Sequence, residues 1–382
     1  MRTPREEAIA SALTVLPQCG IARLRAFVQD PDGLEAVWSD IVAGRVARVE
    51  GLGRVSKPAD VAAAWRAKAA TFDLDAVERR IAESGVRVLF IDDDAYPQVL
   101  RDDPDPPGVL FIRTQSLDVL HDALARPRVA IIGTRRCTNY GVEVSRELGR
   151  DLSAAGVVVV SGLALGIDGA AHEGALVAGA APPVGVVGSG LDVVYPHRHR
   201  RLWASVADAG ALISEAPLGA IAEAHRFPQR NRIIAGLSDL VIVVESHAAG
   251  GSMHTVQAAI DRGVPVMAVP GSVRSKSSAG TNRLLAEGVA PVLDVDDVLV
   301  ALALERRPSA SPGHDHPHPE PQIDPADAGV LAAVEWTPTS TETVLERTGL
   351  SLGAAAAALT RLEMAGAVRS QNGWWERKEE VR

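Results

Sequence analysis

The segment Arg128–His172 decides the fold, and it reads RVAIIGTRRCTNYGVEVSRELGRDLSAAGVVVVSGLALGIDGAAH. Two short β-branched runs, Val129–Ile132 and Val157–Val160, flank a stretch whose apolar residues recur at helical spacing. Continuous apolar strands joined by a helix are typical of parallel strands that are buried on both faces. We therefore predict a β-α-β unit with glycine and polar residues at its strand ends, where open α/β sheets bind their ligands.

The alternation of strand, glycine loop and helix continues over residues 126–303. Four further apolar runs lead into glycine or acidic turns: Val184–Val187, Ala211–Ile213, Leu240–Val244 and Val264–Val269. Together with the first two runs they make at least six strands, which is enough for a doubly wound sheet. The predicted fold class is α/β, with a doubly wound and mostly parallel sheet in a core at 126–303.

Other segments flank this core on both sides. Residues 1–70 have helical periodicity and are predicted to form a helical domain. That domain is either a simple packing unit or a set of helix hairpins, such as the one at Gly51-Leu52-Gly53, that offer backbone N–H groups to phosphates. Residues 71–125 are predicted to connect it with the core, through the apolar runs Val86–Ile91 and Val109–Ile112.

The C-terminal part of the chain divides into a linker and a small domain. Residues 304–325 are rich in Pro, His and Ser, which predicts a linker. Residues 326–382 show three helical stretches and a hairpin at Asn372-Gly373, the outline of a winged helix. The candidate recognition helix carries only Arg361 as a cation, which favours a protein-contact or packing module over a major-groove reader.

Composition excludes several classes of protein. The two cysteines, Cys19 and Cys137, allow no disulfide framework and no metal quartet. No apolar run is long enough to span a bilayer, and the acidic Glu6 and Glu7 are atypical of a signal peptide, so we expect a cytoplasmic protein without a membrane partner. A solvated linker is favoured over metal binding by its histidines, His314, His316 and His318. We predict neither a metal nor a cofactor.

Charge is distributed unevenly along the chain. The net charge is −9, yet residues 126–303 hold 16 basic and 16 acidic residues, so the acidity lies outside the core. A local basic groove remains compatible with this balance, because phosphate binding depends on the local field rather than on net charge.

The glycine loops at the predicted strand ends suggest a site for an anion or a nucleotide, since glycine lets backbone N–H groups approach oxyanions closely. A phosphate-binding Walker A loop is excluded, because none of the four lysines completes that pattern. The dinucleotide fingerprint is also poor: Gly188-Ser189-Gly190 is followed by Val193, where a glycine or alanine belongs.

Cations and aromatic residues gather around the same loops. Arg135 and Arg136 follow the first strand, His197–Arg201 follows Tyr195, and three arginines surround Phe227: Arg226, Arg230 and Arg232. Arginines beside glycine N–H groups and aromatic rings suit a phosphate backbone whose bases can stack. The alternative is that some of these arginines, Arg232 among them, pair with acidic residues of the core: Asp192, Glu215 and Glu245.

Asp168 and His172 lie one helical turn apart and are open to two interpretations. They form either an acid/base pair or a buried, hydrogen-bonded histidine near a helix start. No nucleophile–base set and no metal-ligand spacing is evident elsewhere in the core.

Taken in order, the loops resemble those of the DNA-processing protein A (DprA, also called Smf) family. The matching segments are Tyr96-Pro97, Ile132–Arg135, Ser161–Asp168 with Ala171-His172, Gly190–Asp192 with Tyr195-Pro196, Ser214-Glu215, Phe227-Pro228, Arg230–Leu237, Val244-Glu245, Gly251-Ser252, Thr255, Pro270-Gly271 and Gly280–Asn282. Each segment alone is ordinary, but the ordered set is highly specific.

The resemblance implies an extended Rossmann-like core that forms a homodimer and binds single-stranded DNA. It implies a protein without enzymatic activity that protects incoming strands and loads RecA recombinase in natural transformation or recombination. Arg135 matches a family position implicated in DNA contact. The predicted DNA-binding residues are Gly133, Thr134, Arg135, Arg136, Ser161, Gly162, Gly166, Gly188, Gly190, His197, Gln229, Arg230, Asn231, Arg232, Gly251 and Ser252.

The loop Gly250–Val256 departs from the family pattern, because His254 and Val256 replace an apolar residue and an alanine. Two other functions remain open. One is an enzyme that releases bases from nucleoside monophosphates, although the glutamate that such enzymes carry after their glycine loop is absent here. The other is a transcription regulator that acts through the winged helix, against which the alanine-rich recognition helix argues. A small nucleotide in the glycine loops also remains possible.

Overall fold

The structure, a computed structural model, describes residues 2–51, 56–302, 327–334, 339–364, 367–371 and 374–377. The predicted linker with its histidines, the Leu52-Gly53 pair and the Asn372-Gly373 turn lie outside the described residues. The described residues up to 302 form one packed unit, and those from 327 onward belong to a second.

A sheet of nine strands, counted over the described residues, lies at the centre of the larger unit. Its strands are β1 (Arg87–Phe90), β2 (Val109–Thr114), β3 (Arg128–Ile132), β4 (Val158–Ser161), β5 (Val184–Val186), β6 (Ala211–Ser214), β7 (Leu240–Val243), β8 (Val266–Ala268) and β9 (Ala290–Pro291). They lie in the order β1-β2-β6-β5-β4-β3-β7-β8-β9. All pairs from β6 to β9 along this order are parallel, which confirms the predicted doubly wound, mostly parallel sheet.

The segment 71–125 is part of the core sheet and not only a connection to it. Its strands β1 and β2 pair antiparallel with each other, and β2 pairs antiparallel with β6. Both strands carry fully buried apolar side chains, such as Phe90 and Phe111. Burying these runs requires a partner, and the free edge of β6 provides one.

Helices cover both faces of the sheet. They are α1 (Pro4–Leu13), α2 (Ile21–Val28), α3 (Leu34–Ala43), α4 (Val46–Glu50), α5 (Pro58–Ala69), α6 (Leu74–Ser84), α7 (Gln98–Arg101), α8 (Leu117–Ala125), α9 (Asn139–Ala154), α10 (Ile167–Ala178), α11 (Arg200–Ala209), α12 (Arg226–Gly236), α13 (Ser252–Ile260), α14 (Ala279–Ala286) and α15 (Val295–Ala301). The N-terminal helices share one apolar core with the first face, and α9, α10 and α15 contribute to a second core on the other face. No described helix has the length and apolar character needed to cross a membrane.

The helices α9 and α10 approach each other closely because glycine lies at their contact. A Cβ at Gly149 would lie 2.2 Å from the Ala171 carbonyl oxygen, and one at Gly174 would lie 2.0 Å from the Arg146 carbonyl oxygen. This close packing supports the strand ends of β3 and β4, which carry the glycine loops.

The second unit has the predicted winged-helix elements in its described residues. They are α16 (Ala328–Ala333), β10 (Thr339–Ser340), α17 (Thr341–Thr348), α18 (Leu352–Met364), β11 (Val368–Gln371) and β12 (Trp374–Arg377). The strands form a small antiparallel sheet in the order β10-β12-β11. Gly349 ends α17 with a φ of +66°, a conformation that glycine adopts without steric cost.

Candidate nucleic-acid interface

A cleft opens where the strand order of the sheet reverses. From β3 the chain order runs through β4, β5 and β6 on one side and through β7, β8 and β9 on the other. Ile132 and Val243, at the carboxyl ends of β3 and β7, are direct neighbours. In open α/β sheets the loops at such a point diverge and leave a crevice, which is the usual ligand site.

The cleft has a volume of about 480 Å³ and is lined by five segments. They are the loop after β3, the segment from the β4 loop into the start of α10, the start of α12, the loop after β7 and the start of α13. The structure brings eight of the predicted residues together here: Gly133, Thr134, Arg135, Arg136, Arg230, Asn231, Gly251 and Ser252. Half of the predicted set therefore faces one space.

A smaller slot of about 40 Å³ adjoins the cleft. Gly162 and Gly188, both predicted, line it together with Tyr195, and Arg135 and Arg230 line both spaces. The slot thus combines glycine backbone with an aromatic wall, whereas the main cleft is richer in arginine.

Arg135 stacks on an aromatic pair. Its guanidinium carbon lies 4.5 Å from the centre of the Phe227 ring, and that ring lies 5.7 Å from the ring of Tyr195 at a tilt of 43°. Tyr195 is 41% exposed, so the pair is accessible from solvent. A cation held over an aromatic face keeps its charge and presents a flat surface to a base.

Arg230 is 6% exposed and packs against the backbone of the slot. It donates to the Val186 carbonyl oxygen, and a Cβ at Gly162 would lie 1.8 Å from its Nη1 atom. Burial lowers the pKa of Arg230 to about 10, while the nearby Asp168 opposes that shift, so the guanidinium stays charged at neutral pH. Burial also raises the pKa of Asp168, which accepts a hydrogen bond from the Gly162 N–H.

The start of α13 adds a further anion-attracting feature. Gly251 is its N-cap residue, and no side chain caps the helix. The Met253 and His254 N–H groups donate to the Gly250 and Gly251 carbonyl oxygens, so the start of α13 presents the positive end of its helix dipole beside Arg135 and Arg136. This combination suits phosphate oxygens.

Six predicted residues lie outside both spaces, and four of them support or border the loops. Ser161 is fully buried and donates to the Ile131 carbonyl oxygen, so it ties β4 to β3. Gly166 packs behind the first loop, where a Cβ would lie 2.6 Å from the Thr134 carbonyl oxygen. Gly190 donates to the Ala220 carbonyl oxygen, and His197 is exposed outside the cleft. These residues shape or border the loops without facing the cleft.

Gln229 and Arg232 face elsewhere, because α12 turns successive side chains to different sides. Gln229 lines a separate cavity of about 640 Å³ between the α1–α2 turn and the 215–229 region. Arg232 is buried and pairs with Glu215 and Asp105. Its prediction as a DNA contact is corrected by this ion pair.

The other proposed acidic partners behave differently from one another. Asp192 pairs with Arg80 of α6, not with an arginine of the cleft. No arginine in the described part of the chain lies within ion-pair distance of Glu245; its carboxylate accepts hydrogen bonds from the N–H and the hydroxyl of Thr138. The arginines of the cleft are therefore not neutralised by Asp192 or Glu245.

His172 is fully buried and does not line the cleft. Burial lowers its pKa to about 4, so the ring is neutral at physiological pH. This favours the interpretation as a buried histidine over an acid/base pair with Asp168.

The sequence-based prediction missed two histidines that line the cleft. His247 follows β7, with its Nδ1 atom 3.4 Å from the Thr134 hydroxyl, and His254 lies in the first turn of α13. A polar run after the apolar strand Leu240–Val243 was the available signal. Among the described residues, no group of three or more His, Cys, Asp or Glu side chains is placed to hold a metal ion.

Comparison with known proteins agrees with this geometry. The family model described as DNA recombination-mediator protein A matches residues 87–303. The chain belongs to that family. A second model, described as the DprA winged helix domain, matches residues 314–373.

Individual members of the family cover most of this chain. Protein Smf of Escherichia coli K12 is 35% identical over 289 residues, which are 75% of this chain and 76% of that protein. The X-ray structure of DprA from Streptococcus pneumoniae is similar with a TM-score of 0.63 at 31% identity, covering 78% of this chain and 98% of that one. DNA processing protein A from Helicobacter pylori, studied for its single-stranded DNA binding mode, has a TM-score of 0.51 at 30% identity over 57% of this chain and 95% of that one.

Proposed function

We propose that this protein binds single-stranded DNA in the cleft between β3 and β7, protects the strand and loads RecA recombinase onto it in transformation or recombination. The observation that carries the proposal is the convergence of Arg135, Arg136 and Arg230 with the Phe227–Tyr195 pair in one accessible crevice. The family membership and the single-strand binding of the Helicobacter pylori relative support it.

The main cleft holds the phosphate backbone of the DNA strand, and the adjoining slot holds its bases. Phosphates lie in the main cleft, against Arg135, Arg136 and the positive end of the α13 helix dipole. Bases stack on Phe227 and Tyr195 at the adjoining slot. Arginine binds the negative charge of a phosphate, and an aromatic ring stacks on any base. Binding of this kind therefore does not depend on the DNA sequence.

We further propose that the cleft performs no catalysis. Asp168 is the carboxylate among the cleft-lining residues, and it is buried beside Arg230 with the Gly162 N–H as hydrogen-bond donor. A carboxylate that is 6% exposed and holds a backbone N–H of its own loop is poorly placed to reach a substrate proton, as a general acid or base must. Base release from a nucleoside monophosphate by the purified protein would reopen the enzyme hypothesis.

Fluorescence anisotropy tests the proposal directly. A labelled oligothymidine and a duplex of equal length are titrated across a salt series with wild type, Arg135→Ala and, as a matched control, Arg146→Ala. Arg146 is an exposed arginine of α9 that pairs with Glu173 and does not line the cleft. We expect single-strand preference, with log affinity falling by about 0.7 per phosphate contact and per log unit of salt. Arg135→Ala alone reduces affinity and slope; salt-independent binding, or equal effects of both variants, contradicts the proposal.

RecA loading and dimerisation need separate measurements. With a single-strand-binding protein already on the DNA, we expect the protein to restore RecA assembly on the strand, and Arg135→Ala to lose this effect. A homodimer is expected from light scattering, with twice the mass of one chain. Leu293, just before α15, and Val300, in α15, are each 76% exposed and are candidates for its contact surface.

The winged helix is proposed as a protein-contact module. Arg361, the cation of α18, donates to both carboxylate oxygens of the buried Asp327 at 2.6 and 2.8 Å. An arginine held in this pair is not arranged to read bases. Duplex selectivity that disappears on deletion of 326–382 would contradict this assignment.

A further inference from the structure

Glu245, directly after β7 and the buried Val244, carries a carboxylate that is buried without a cation. The residue is 1% exposed, and among the described residues no arginine, lysine or histidine lies within ion-pair distance of it. An unpaired buried charge is costly unless hydrogen bonds and dipoles compensate for it. The groups that compensate for the negative charge of Glu245 therefore indicate the role of this carboxylate.

Those groups belong to the start of α9, the first helix of the β-α-β unit. One carboxylate oxygen accepts from the Thr138 N–H at 2.8 Å, and the other accepts from the Thr138 hydroxyl at 2.7 Å. The same hydroxyl caps α9 by accepting from the Gly141 N–H at 3.2 Å. Glu245 thus occupies the positive end of α9, where dinucleotide-binding sheets place a pyrophosphate.

Gly141 shows that α9 is shaped around this carboxylate. A Cβ on Gly141 would lie 2.5 Å from the Glu245 Oε2 atom. Gly141 lies in the first turn of α9 and has no positive φ, so backbone conformation does not require glycine there. Glycine within a helix is less stable than alanine, so the room that it leaves for Glu245 is its structural reason.

Glu245 also holds the other end of the arginine loop. Its backbone carbonyl oxygen accepts from the Thr134 N–H at 2.8 Å, while its carboxylate holds Thr138. Arg135 and Arg136 therefore lie in a loop whose two ends are fastened to one residue of a neighbouring strand.

We propose that Glu245 is a built-in anion that takes the place of a nucleotide phosphate at the start of α9 and thereby positions Arg135 and Arg136 for a DNA strand. The loop reaches its binding form without a nucleotide, because the protein supplies the negative charge itself. The same charge repels phosphates from α9 and directs them toward the positive end of α13, whose start has no side-chain cap. This inference rests on the proposed function, and Glu245 acts as a positioning residue through the loop.

Chemical rescue tests the built-in anion. Glu245→Ala removes one methylene and the carboxylate, which is the outline of an acetate ion. We expect acetate to raise the Tm of Glu245→Ala above its value in chloride of equal ionic strength, and to leave wild type and the control Glu173→Ala unchanged. Glu173 is an exposed glutamate of α10, paired with Arg146. Equal acetate responses in all three proteins would overturn the anion site, whether or not the protein binds DNA.

The positioning role is tested on the folded variants with labelled oligothymidine. We expect Glu245→Ala to weaken binding about tenfold, because the loop loses its buried hydrogen bonds, and acetate to restore the affinity. In an Arg135→Ala background the same substitution should cause a smaller loss than in wild type, since part of its effect acts through Arg135 and the rest through Arg136. Additive losses, or an unchanged affinity, would overturn the role. If wild type itself does not bind the oligonucleotide, the proposed function fails while the acetate test still decides the anion site.

A conservative variant covers the case in which Glu245→Ala does not fold even in acetate. Glu245→Gln keeps the volume and one carbonyl acceptor but loses the charge. We expect it to weaken DNA binding, to depend on Arg135 in the same double-substitution test, and to show no rescue by acetate, because its site is filled. Wild-type affinity of Glu245→Gln would overturn the proposal.

Discussion

The guanidinium carbon of Arg135 lies 4.5 Å from the centre of the Phe227 ring, although the two residues are 92 positions apart in the chain. Arg135 follows β3, whereas Phe227 lies in the first turn of α12. The contact joins the phosphate-binding and base-stacking parts of the proposed interface. A substitution of either residue therefore removes a contact of the other.

Phe227→Leu is expected to weaken binding to oligothymidine about tenfold, because stacking of a base on an aromatic ring contributes about 1–3 kcal/mol. Phe227→Trp should retain most of the affinity, since it keeps an aromatic face under Arg135. Anisotropy at fixed salt measures both. Equal losses in the two variants would show that the shape of the side chain, and not its aromatic face, matters here.

Gly162→Ala is expected to destabilise the protein by about 2 kcal/mol, the usual cost of forcing extra volume into a packed site. The new Cβ would displace Arg230 and break its hydrogen bond to the Val186 carbonyl oxygen. Urea unfolding measures the free energy, and anisotropy measures the accompanying loss of DNA affinity. Gly353→Ala is the control, because no atom lies within 4 Å of a Cβ at that position. A fully stable Gly162→Ala variant would contradict this packing.

Arg232→Met tests whether Arg232 stabilises the fold or contributes to DNA binding. Removing one partner of a buried ion pair typically costs about 3 kcal/mol, since Glu215 is left without its cation. We expect a large loss in the free energy of unfolding and unchanged DNA affinity in the folded variant. Arg135→Ala should show the reverse. Reduced affinity of a folded Arg232→Met protein would restore Arg232 to the interface.

His172 is expected to destabilise the fold in acid. Its pKa is lowered from 6.5 to about 4 by burial, so between these values the unfolded chain binds a proton that the folded chain does not. The contribution of His172 to the free energy of unfolding therefore decreases by about 3 kcal/mol as the pH falls from 6.5 toward 4, while Glu215, whose pKa is raised to about 7 by burial, contributes in the opposite direction. Urea unfolding at several pH values should therefore show wild type losing stability relative to His172→Gln as the pH falls. Parallel profiles for both proteins would place the acid sensitivity elsewhere.

The strand runs and the loop residues next to them were predictable from the sequence. The run Val129–Ile132 and the residues Gly133–Arg136 are contiguous, so locating the strand also locates the loop at its carboxyl end. The same holds for Gly251 and Ser252 at the start of α13. The roles of the residues on α12 were harder to predict. Gln229, Arg230 and Arg232 project from different sides of the helix, and the sequence does not show which of them faces the cleft.

The sequence by itself determined the α/β sheet, the family and the loops that form the crevice, because apolar periodicity and ordered motifs are local properties of the chain. Only the tertiary structure decided which charges are exposed. Arg232 is neutralised by Asp105 and Glu215, and Glu245 reaches Thr138, 107 positions away. The strand order of the sheet brings these partners together. Burial and ion pairing then decide which arginines can bind a phosphate.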